Sequence, residues 1–287
     1  MQQTLEPSRL QEWEGRSELV FESLDLAHVK EVAATLNSHL SISDGSPLPH
    51  LWHWAFFRPK ALTVELGPDG HPPKGGFLPP VALPRRMWAG GRLQLLRPLT
   101  VGCLVSRSST IKTVEAKSGR SGNLVFVTVQ HDYSCNDEMC VVEEQDIVYR
   151  EAAQSSGQKV PVHPEEARSV ALRWKDDFAT SPVLLFRYSA VTFNSHRIHY
   201  DQGYASTEEG YRGLVVHGPL AATLMLTAYC RREGGEAVKG FSFRGVAPLI
   251  EEGRLSVCCE RVEDKSATLY VSDASGRKTM EGSVSLI

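Results

Sequence analysis

The sequence contains one plan twice: a segment whose apolar residues have helical spacing, then several short runs rich in β-branched residues. The first helical segment lies at 24–40, and its strand-like runs follow Gly90-Gly91. The second runs from about Gly218 to Glu233 and leads directly into further runs. Gly, Ser and Asn separate the runs, as is typical of an antiparallel sheet. The pattern predicts an α+β protein in which each half packs one helix against a sheet.

A polar, proline-bearing segment at 151–169 divides the halves and has the composition of a linker. It predicts an N-terminal unit at 1–150 and a C-terminal unit at 170–287, and the total of 287 residues suits two units of roughly 140 residues. One helix wrapped by a strongly curved antiparallel sheet is the hotdog arrangement. Two copies in one chain predict a double hotdog that forms a pseudo-dimer.

A short internal repeat favours this duplication. Arg97-Pro98-Leu99 precedes Val101-Gly102 in the first half, and Ala247-Pro248-Leu249 precedes Glu252-Gly253 in the second. Three further strand-like runs follow each copy. We therefore expect active sites to lie between the two halves, as between the subunits of a homodimer of single hotdogs.

The stretch from Ser46 to Arg86 is dense in proline and glycine, which excludes a long helix or a central strand. It predicts an extended loop, and a loop of this length in a compact protein is either functional or disordered. Disorder is disfavoured because the stretch carries large aromatic side chains, namely Trp52, Trp54, Phe56, Phe57 and Phe77.

The charge balance excludes several classes of partner. The chain has 31 basic and 34 acidic residues with no basic tract, so nucleic-acid binding is not expected. No stretch approaches the roughly 20 apolar residues of a membrane helix, and the first residues lack an apolar signal core. We expect a cytoplasmic protein with no membrane partner.

The six cysteines are too few and too irregularly spaced for a disulfide framework in a chain of this length. The close pair Cys258-Cys259 is adjacent, and neighbouring side chains on a strand point to opposite faces. Joint zinc binding by this pair is disfavoured, and the sequence predicts reduced structural thiols.

A dense group of polar residues marks the candidate site. Asn194, His196, His199 and Asp201 lie between an apolar, strand-like run and a glycine-bearing segment. One alternative is a solvated loop in which both histidines titrate ordinarily. Another is a metal site in which His196 and His199 supply imidazoles and Asp201 a carboxylate. The HExxH signature of a zinc helix is missing, so we expect no metal.

The second candidate element is the turn at His217-Gly218, just ahead of an apolar helix. A free backbone N–H of Gly218 at the helix N-terminus can polarise a carbonyl group and stabilise an oxyanion. Pro219 also favours the start of a helix by itself, and both interpretations are compatible.

Basic residues are candidates for binding the phosphates or the carboxylate of an anionic ligand. Arg85 and Arg86 are preferred because they end the long loop and precede Trp88, which places a guanidinium beside aromatic surface. The other candidates are Arg97, Lys117, Arg120, Arg197, Arg231 and Arg244, of which we retain Arg244 for the substrate site.

The string FRYSAVTFNSHRIHYD resembles the signature of MaoC-type, R-specific enoyl-CoA hydratases, and GLVVHGPL resembles the AHGM turn of the same family. The resemblance places the family's catalytic aspartate at Asn194, its asparagine at His196, its histidine at His199 and a further acidic position at Asp201. A neutral amide has no basic site near neutral pH. We therefore expect His199 to be the main base, with Asn194 orienting the water or Asp201 supplying a carboxylate.

Longer strings, including PLPHLWHWAFF and GGFLPPVALPRRMWAGGR, resemble the itaconyl-CoA and mesaconyl-CoA hydratases. This resemblance implies that the N-terminal half holds substrate, the C-terminal half is catalytic, and water adds to a short branched dicarboxylic enoyl-CoA to give citramalyl-CoA. It implies no cofactor other than the coenzyme A of the substrate. The alternatives are an (R)-specific dehydratase of fatty acyl chains and a non-catalytic acyl-CoA binding module. Association of pseudo-dimers into a homo-oligomer is left open.

Overall fold

The computed structural model describes residues 7–119, 122–151, 171–235 and 238–286. Five strands from each half form one antiparallel sheet of ten strands. In the N-terminal half the strands are β1 (Ser17–Ser23), β2 (Arg85–Leu95), β3 (Leu104–Gly119), β4 (Gly122–Cys135) and β5 (Glu138–Arg150). In the C-terminal half they are β6 (Trp174–Ala179), β7 (Val238–Gly245), β8 (Arg254–Glu263), β9 (Ser266–Ser272) and β10 (Lys278–Leu286). The predicted linker lies outside the described residues except for Glu151.

The α-helices are α1 (Pro7–Leu10), α2 (Leu26–Thr35), α3 (Pro182–Thr192), α4 (Gln202–Thr207) and α5 (Gly218–Glu233). Single turns of 3-10 helix lie at Gln11–Trp13, Trp52–Ala55, Thr63–Glu65 and Arg197–His199. None of the helices in the described ranges is both long and apolar enough to cross a membrane.

The strand-like run ahead of Asn194 is helix α3, so the strand expected there is wrong. The Ser181 side chain accepts a hydrogen bond from Leu184 N at 3.1 Å, and Pro182 occupies the first turn. Both features start a helix. The run is apolar on most faces, and a continuous apolar run does not distinguish a buried strand from a packed helix.

The strand order is β1-β3-β4-β5-β2-β7-β10-β9-β8-β6, which reads as the same five-strand order from either edge. At the centre, Arg92 pairs with Ser242, Gly91 with Phe243 and Leu93 with Phe241. This register places a pseudo-two-fold axis at the Arg92–Ser242 pair. The arrangement is the predicted double hotdog.

The internal repeat marks equivalent turns in the two halves. Leu96 N and Arg97 N both donate to Cys140 O, and Val246 N and Ala247 N both donate to Thr279 O. Leu93 and Phe243 are therefore equivalent residues. Their partners on the next strand, Glu143 and Gly282, are equivalent in the same way.

The C-terminal sheet encloses α5, which contacts β7, β8, β9 and β10. Leu220, Met225 and Leu226 of this helix are buried. The helix lies so close to β10 that a Cβ at Gly282 would be 2.3 Å from Met225 Sδ. This half matches the prediction of one central helix wrapped by a curved sheet.

The N-terminal half enters its sheet in the same way and then diverges. Leu48 N donates to Leu99 O at 2.7 Å, as Val216 N donates to Leu249 O at 2.8 Å. The C-terminal half continues into the 16 residues of α5, whereas the N-terminal half makes only the turn Trp52–Ala55. The helix predicted at 24–40 is α2, which precedes this position and contacts α3.

The loop predicted at 46–86 includes the turn Trp52–Ala55 and lies on the inner side of the N-terminal sheet, but its last two residues already belong to the central strand β2. Arg58-Pro59 and the later prolines and glycines prevent a continued helix. Val81 of this loop is buried with Ile111 and Val127 in a separate apolar cluster, against which Phe77 and Leu83 also pack. The loop is thus ordered by apolar contacts with β3 and β4.

The structure corrects the thiol prediction for one pair. Cys103 and Cys135 form a disulfide with a Cα–Cα distance of 6.5 Å, while Cys140, Cys230, Cys258 and Cys259 are free. The β3–β4 hairpin pairs Val105 with Cys135, which brings Cys103 beside it. A separation of 32 residues gives no local signal of this proximity.

Candidate active site

Asn194 follows α3 through a tight reversal of the chain. Phe193 adopts a left-handed conformation with φ 53°, and Asn194 N then donates to Ser189 O at 2.8 Å. The amide oxygen Oδ1 of Asn194 accepts from His196 N at 3.0 Å. The side chain thus braces the turn that leads to Arg197–His199. Its oxygen retains one lone pair for a further donor.

His199 is held as a neutral base. The ring is 7% exposed, and Nδ1 lies 2.7 Å from Val215 O. Because a carbonyl oxygen only accepts, Nδ1 carries the proton and Nε2 keeps a lone pair. Burial lowers the pKa of His199 to about 4, although the hydrogen bond to Val215 opposes this shift. At neutral pH the imidazole is therefore uncharged and able to accept a proton.

Four imidazoles form a continuous row. The ring centroids of His71 and His196 are 4.1 Å apart, those of His196 and His199 are 5.4 Å apart, and those of His199 and His217 are 3.6 Å apart. Burial and the neighbouring rings lower the pKa of His196 to about 2 and that of His217 well below its ordinary value. The row is neutral at rest, and a proton on any ring affects the others.

His217 is anchored at the far end of this row. Its Nε2 lies 2.8 Å from Ser189 Oγ, while the buried Nδ1 has no hydrogen-bond partner among the described residues. Tyr188 packs edge-on against the ring at 4.9 Å. These contacts fix the stacked orientation of His199.

The segment 67–71 of the long loop completes the site and was missed by the sequence prediction. His71 Nδ1 donates to Asp69 Oδ2 at 2.9 Å, and Asp69 Oδ1 accepts from His71 N at 3.0 Å. The sequence carried one signal, since Asp69-Gly70-His71 lies in a loop that was expected to be functional. Nothing in the sequence indicates that this loop meets residues 195–199.

Main-chain atoms dock this segment onto the C-terminal half. Arg197 N donates to Asp69 O at 2.9 Å, and Arg197 Nη1 donates to Pro68 O at 3.0 Å. Gly70 has φ +87° and approaches so closely that a Cβ would lie 1.9 Å from Ser195 O. Only glycine fits both the conformation and the approach.

The N-terminus of α5 supplies the polarising group that was predicted. Gly218 begins the helix directly after His217, and no described residue accepts a hydrogen bond from its N–H. The residue is half-buried, and a Cβ there would lie 4.0 Å from Trp88 O. The free N–H and the helix dipole are therefore available to a carbonyl oxygen.

Aromatic side chains line the adjacent part of the interface between the halves. Trp88 packs against Trp54 at 4.9 Å and against Phe243 at 5.8 Å between ring centroids. Trp88 Nε1 donates to Gly90 O at 2.8 Å, which fixes its ring. The predicted residue Trp88 thus lies beside Gly218, with its main-chain carbonyl oxygen near the Gly218 Cα.

The three predicted cations have different environments. Arg85 pairs with Glu209, with Nε 3.1 Å from Oε2. Arg244 is on the outer face of the sheet, has a side chain that is 72% exposed, and pairs with Glu281. Arg86 makes no ion pair with a described residue, and its charge helps to lower the pKa of His71 and His196. Among these three residues, Arg86 is the cation available to a bound anion near the imidazole row.

The carboxylate of Asp201 is engaged elsewhere. Its Oδ1 accepts from Tyr204 N at 3.0 Å and caps α4, and its Oδ2 lies 2.8 Å from Arg197 Nη2. The metal alternative with Asp201 is therefore not assembled. Ligand atoms of Asp69, His71 and His196 do lie within 4.8 Å of one another and are able to hold a metal ion.

The structure thus brings His199, His217, Gly218 and Trp88 to one place, with Asn194 on the turn that leads to His199 and the charge of Arg86 acting on the imidazole row. It adds His71 and Asp69 from the other half. The arrangement offers a neutral base, a free helix N-terminal N–H and an apolar wall. These groups are suited to adding or removing water at an activated double bond.

Comparisons with known proteins agree with this chemistry. Residues 51–251 match the family described as hydroxyacyl-thioester dehydratase type 2. The mesaconyl-C(4)-CoA hydratase of Chloroflexus aurantiacus is 46% identical over 246 residues, which are 83% of this chain and 84% of that protein.

Solved structures share the fold. HtdX of Mycobacterium tuberculosis has a TM-score of 0.68 at 17% identity, and the match covers 95% of this chain and 100% of that chain. A second M. tuberculosis protein, described as having a double hotdog fold, has a TM-score of 0.54 at 14% identity and covers 96% of both chains. The predicted fold and family resemblance are confirmed. The chain belongs to the hydroxyacyl-thioester dehydratase type 2 family, a family of hydro-lyases.

Proposed function

We propose that this protein adds water to a short branched dicarboxylic enoyl-CoA, mesaconyl-CoA or itaconyl-CoA, and releases citramalyl-CoA. The observation that carries the proposal is the neutral His199, with Nδ1 fixed by Val215 and Nε2 free, beside the unpartnered N–H of Gly218. The similarity to a mesaconyl-C(4)-CoA hydratase supports this choice of substrate.

The reaction follows from these groups. Water forms a bond to the β-carbon while His199 Nε2 takes one of its protons. The π-electron pair of the double bond moves toward the thioester oxygen, which accepts a hydrogen bond from Gly218 N–H. The enolate then collapses as the α-carbon takes the proton that His199 Nε2 releases, so that one water is added in total and the imidazole is neutral again. For itaconyl-CoA, whose double bond is β,γ, a prior isomerisation or a different order of protonation is needed.

Asn194 contributes in a way that differs from an acidic residue. It cannot take the proton, but the second lone pair of Oδ1 is able to accept a hydrogen bond from the attacking water. In this role the residue orients water for His199. Gly218 then binds the thioester oxygen, while Asn194 orients the water that attacks the β-carbon.

Arg86 is proposed to bind the free carboxylate of the substrate. In a mesaconyl thioester at C4 the carboxylate is attached to the β-carbon, so its cation must lie near the base. Arg86 meets this requirement because its charge acts on His71 and His196 and no acidic side chain of the described chain neutralises it. Arg86→Ala is expected to lower kcat/KM for mesaconyl-CoA far more than for crotonyl-CoA, and equal losses would exclude the role.

The direct test is a spectrophotometric hydration assay that follows the enoyl-thioester absorbance. Mesaconyl-CoA, itaconyl-CoA and straight-chain enoyl-CoA esters of increasing length are compared as substrates. Highest kcat/KM on the branched dicarboxylic esters supports the proposal. Highest kcat/KM on long straight chains favours the second candidate, an (R)-specific dehydratase of fatty acyl thioesters, which the family match also permits. Tight binding without turnover on any ester would indicate a binding module.

A further inference from the structure

The candidate site lacks a carboxylate on its own chain segment. Asn194 stands where the resembling motif has an acid, and the Asp201 carboxylate is held by Tyr204 and Arg197. When His199 accepts a proton, a positive charge develops within a buried row of neutral imidazoles. Such a charge is costly in a desolvated site unless a negative charge lies near it.

Asp69 provides a negative charge at the opposite end of this row. Burial acts to raise the pKa of the Asp69 carboxyl, but the hydrogen bonds from His71 outweigh it and hold the pKa well below its usual range. The carboxylate is therefore ionised at neutral pH. Its partner His71 contacts His196, which in turn contacts His199.

We propose that Asp69, acting through His71, is a positioning residue that supplies the charge missing at Asn194. The inference rests on the proposed hydratase function. As water gives its proton to His199, Asp69 stabilises the resulting imidazolium across the imidazole row. The N-terminal half thus contributes an electrostatic group to a base carried by the C-terminal half.

The docking of the loop does not depend on the Asp69 side chain. The contacts to residues 195–197 use the main-chain oxygens of Pro68, Asp69 and Gly70. An asparagine at 69 keeps an oxygen that can accept from His71 N. Asp69→Asn therefore removes the charge and preserves the loop.

The surroundings favour a proton over a metal ion at this point. The positive charge of Arg86 acts on both His71 and His196. Metal coordination by Asp69 Oδ2 and His71 Nδ1 would also break their mutual hydrogen bond. The charged and titratable groups that face the pair are Arg86, Lys74, Glu209, Arg197, Tyr204, His196 and His199.

The test is the pH dependence of kcat for Asp69→Asn, with Asp264→Asn as the matched control. We expect kcat of Asp69→Asn to fall by about 10-fold, less than for a direct transition-state contact, because two imidazole rings separate Asp69 from His199. The acidic limb of the kcat–pH profile should move to lower pH because protonated His199 is less stable without the carboxylate. Asp264→Asn should stay within about twofold of the wild type, since Asp264 is exposed in the turn between β8 and β9.

A rescue variant separates charge from structure. Adding Asn194→Asp to Asp69→Asn should restore most of the lost kcat, because it returns a carboxylate to the position that is acidic in the resembling motif. Full kcat in Asp69→Asn, or a loss that neither moves the pH profile nor is rescued, would overturn the inference. A wild-type protein that hydrates no enoyl-CoA would overturn the proposed function instead, and the inference with it.

Discussion

The two halves share one sheet, but the inner face of the sheet, here called its wall, packs against different groups in the two halves. Gly282 of the C-terminal wall packs directly under α5, whereas the equivalent residue of the N-terminal wall is Glu143, which is 0% exposed. Glu143 pairs with His131 on the next strand, and Gly282 pairs with Leu269. At these equivalent positions the C-terminal wall is apolar and packs under a helix, while the N-terminal wall is polar and packs under one turn.

The buried glutamate is tolerated because donors surround it. Its oxygens accept from Trp54 Nε1 at 2.8 Å, Gln145 Nε2 at 2.8 Å, Tyr133 OH at 3.1 Å and His53 Nε2 at 3.2 Å. Burial acts to raise the pKa of Glu143, but the hydrogen bond and charge of His53 help to lower it to about 2. A buried charge is stable only when paired in this manner.

The contrast teaches how a duplicated fold divides its work. With α5, the C-terminal half supplies the helix N-terminus and His199, the proposed base. Without such a helix, the N-terminal half uses Glu143 to fix Trp54 in the aromatic wall and sends its long loop to dock at Ser195–Arg197. The half with the apolar wall therefore carries His199 and Gly218, and the half with the polar wall carries the loop that docks onto that half.

The largest expected effect is on the free energy of unfolding, when Glu143 is removed from the polar wall. Glu143→Ala leaves four donors without their acceptor and should lower the free energy of unfolding by about 3 to 5 kcal/mol. Glu144→Ala is the matched control, because this neighbour points to the outer face and pairs with Arg92. It should cost no more than about 1 kcal/mol. Urea unfolding measures both, and equal losses would refute the special role of Glu143.

The next largest expected effect is on kcat/KM, when the docking of segment 67–71 is disturbed. Gly70→Ala places a Cβ against Ser195 O and should displace the loop, lowering kcat/KM by about 100-fold or about 2.7 kcal/mol. Gly45→Ala is the control: Gly45 has φ +82° but no atom within 4 Å of the added Cβ. Both variants carry the backbone strain of alanine at positive φ. Enzyme kinetics that separate them would establish that docking, and not strain, matters.

The apolar wall can be tested at its closest contact. Gly282→Ala forces Met225 to move in a filled core and should cost about 1 to 3 kcal/mol of unfolding free energy. Gly76→Ala, with open space around the added Cβ, should change stability by less than about 0.5 kcal/mol. If Gly282→Ala lowers the unfolding free energy as little as Gly76→Ala does, in thermal or urea unfolding, α5 is less tightly packed against Gly282 than described.

The smallest expected effect concerns pH. Burial lowers the pKa of His131 from an ordinary value of 6.5 to about 4. The unfolded chain then binds more protons than the folded chain in this range, so stability is lost as pH falls from about 6.5 to about 4. His131→Leu, which copies Leu269, should reduce the slope of unfolding free energy by up to about 1.4 kcal/mol per pH unit. An unchanged slope between pH 7 and pH 4 would contradict this assignment.

Local patterns predicted the parts of the site that lie close in sequence. His199 and Gly218 were predicted as site residues because a short polar motif and a glycine before an apolar helix each carry their own chemistry. Asp69 and His71 were missed because their contact with residues 195–199 spans more than a hundred residues of sequence and depends on loop docking.

Local patterns also predicted most of the fold, and the prediction was wrong where contacts distant in sequence decide the structure. Strand runs and their repeats indicated two sheets, but the single turn Trp52–Ala55 replaces the central helix of the first half, because proline-rich sequence follows it. The Cys103–Cys135 disulfide required the register of β3 and β4, which no spacing reveals. Pairing across the sheet is set by tertiary packing, beyond the reach of local propensity.

The central claim is that His199 is the base of this hydro-lyase, and the most direct measurement is the turnover of His199→Ala on mesaconyl-CoA. The variant should keep a wild-type unfolding midpoint to within a few degrees and lose at least about 100-fold in kcat, the usual scale of general acid-base help. His199→Gln serves as a companion variant that keeps a donor for Val215 O without a basic nitrogen. Near-normal turnover in either folded variant would contradict the account.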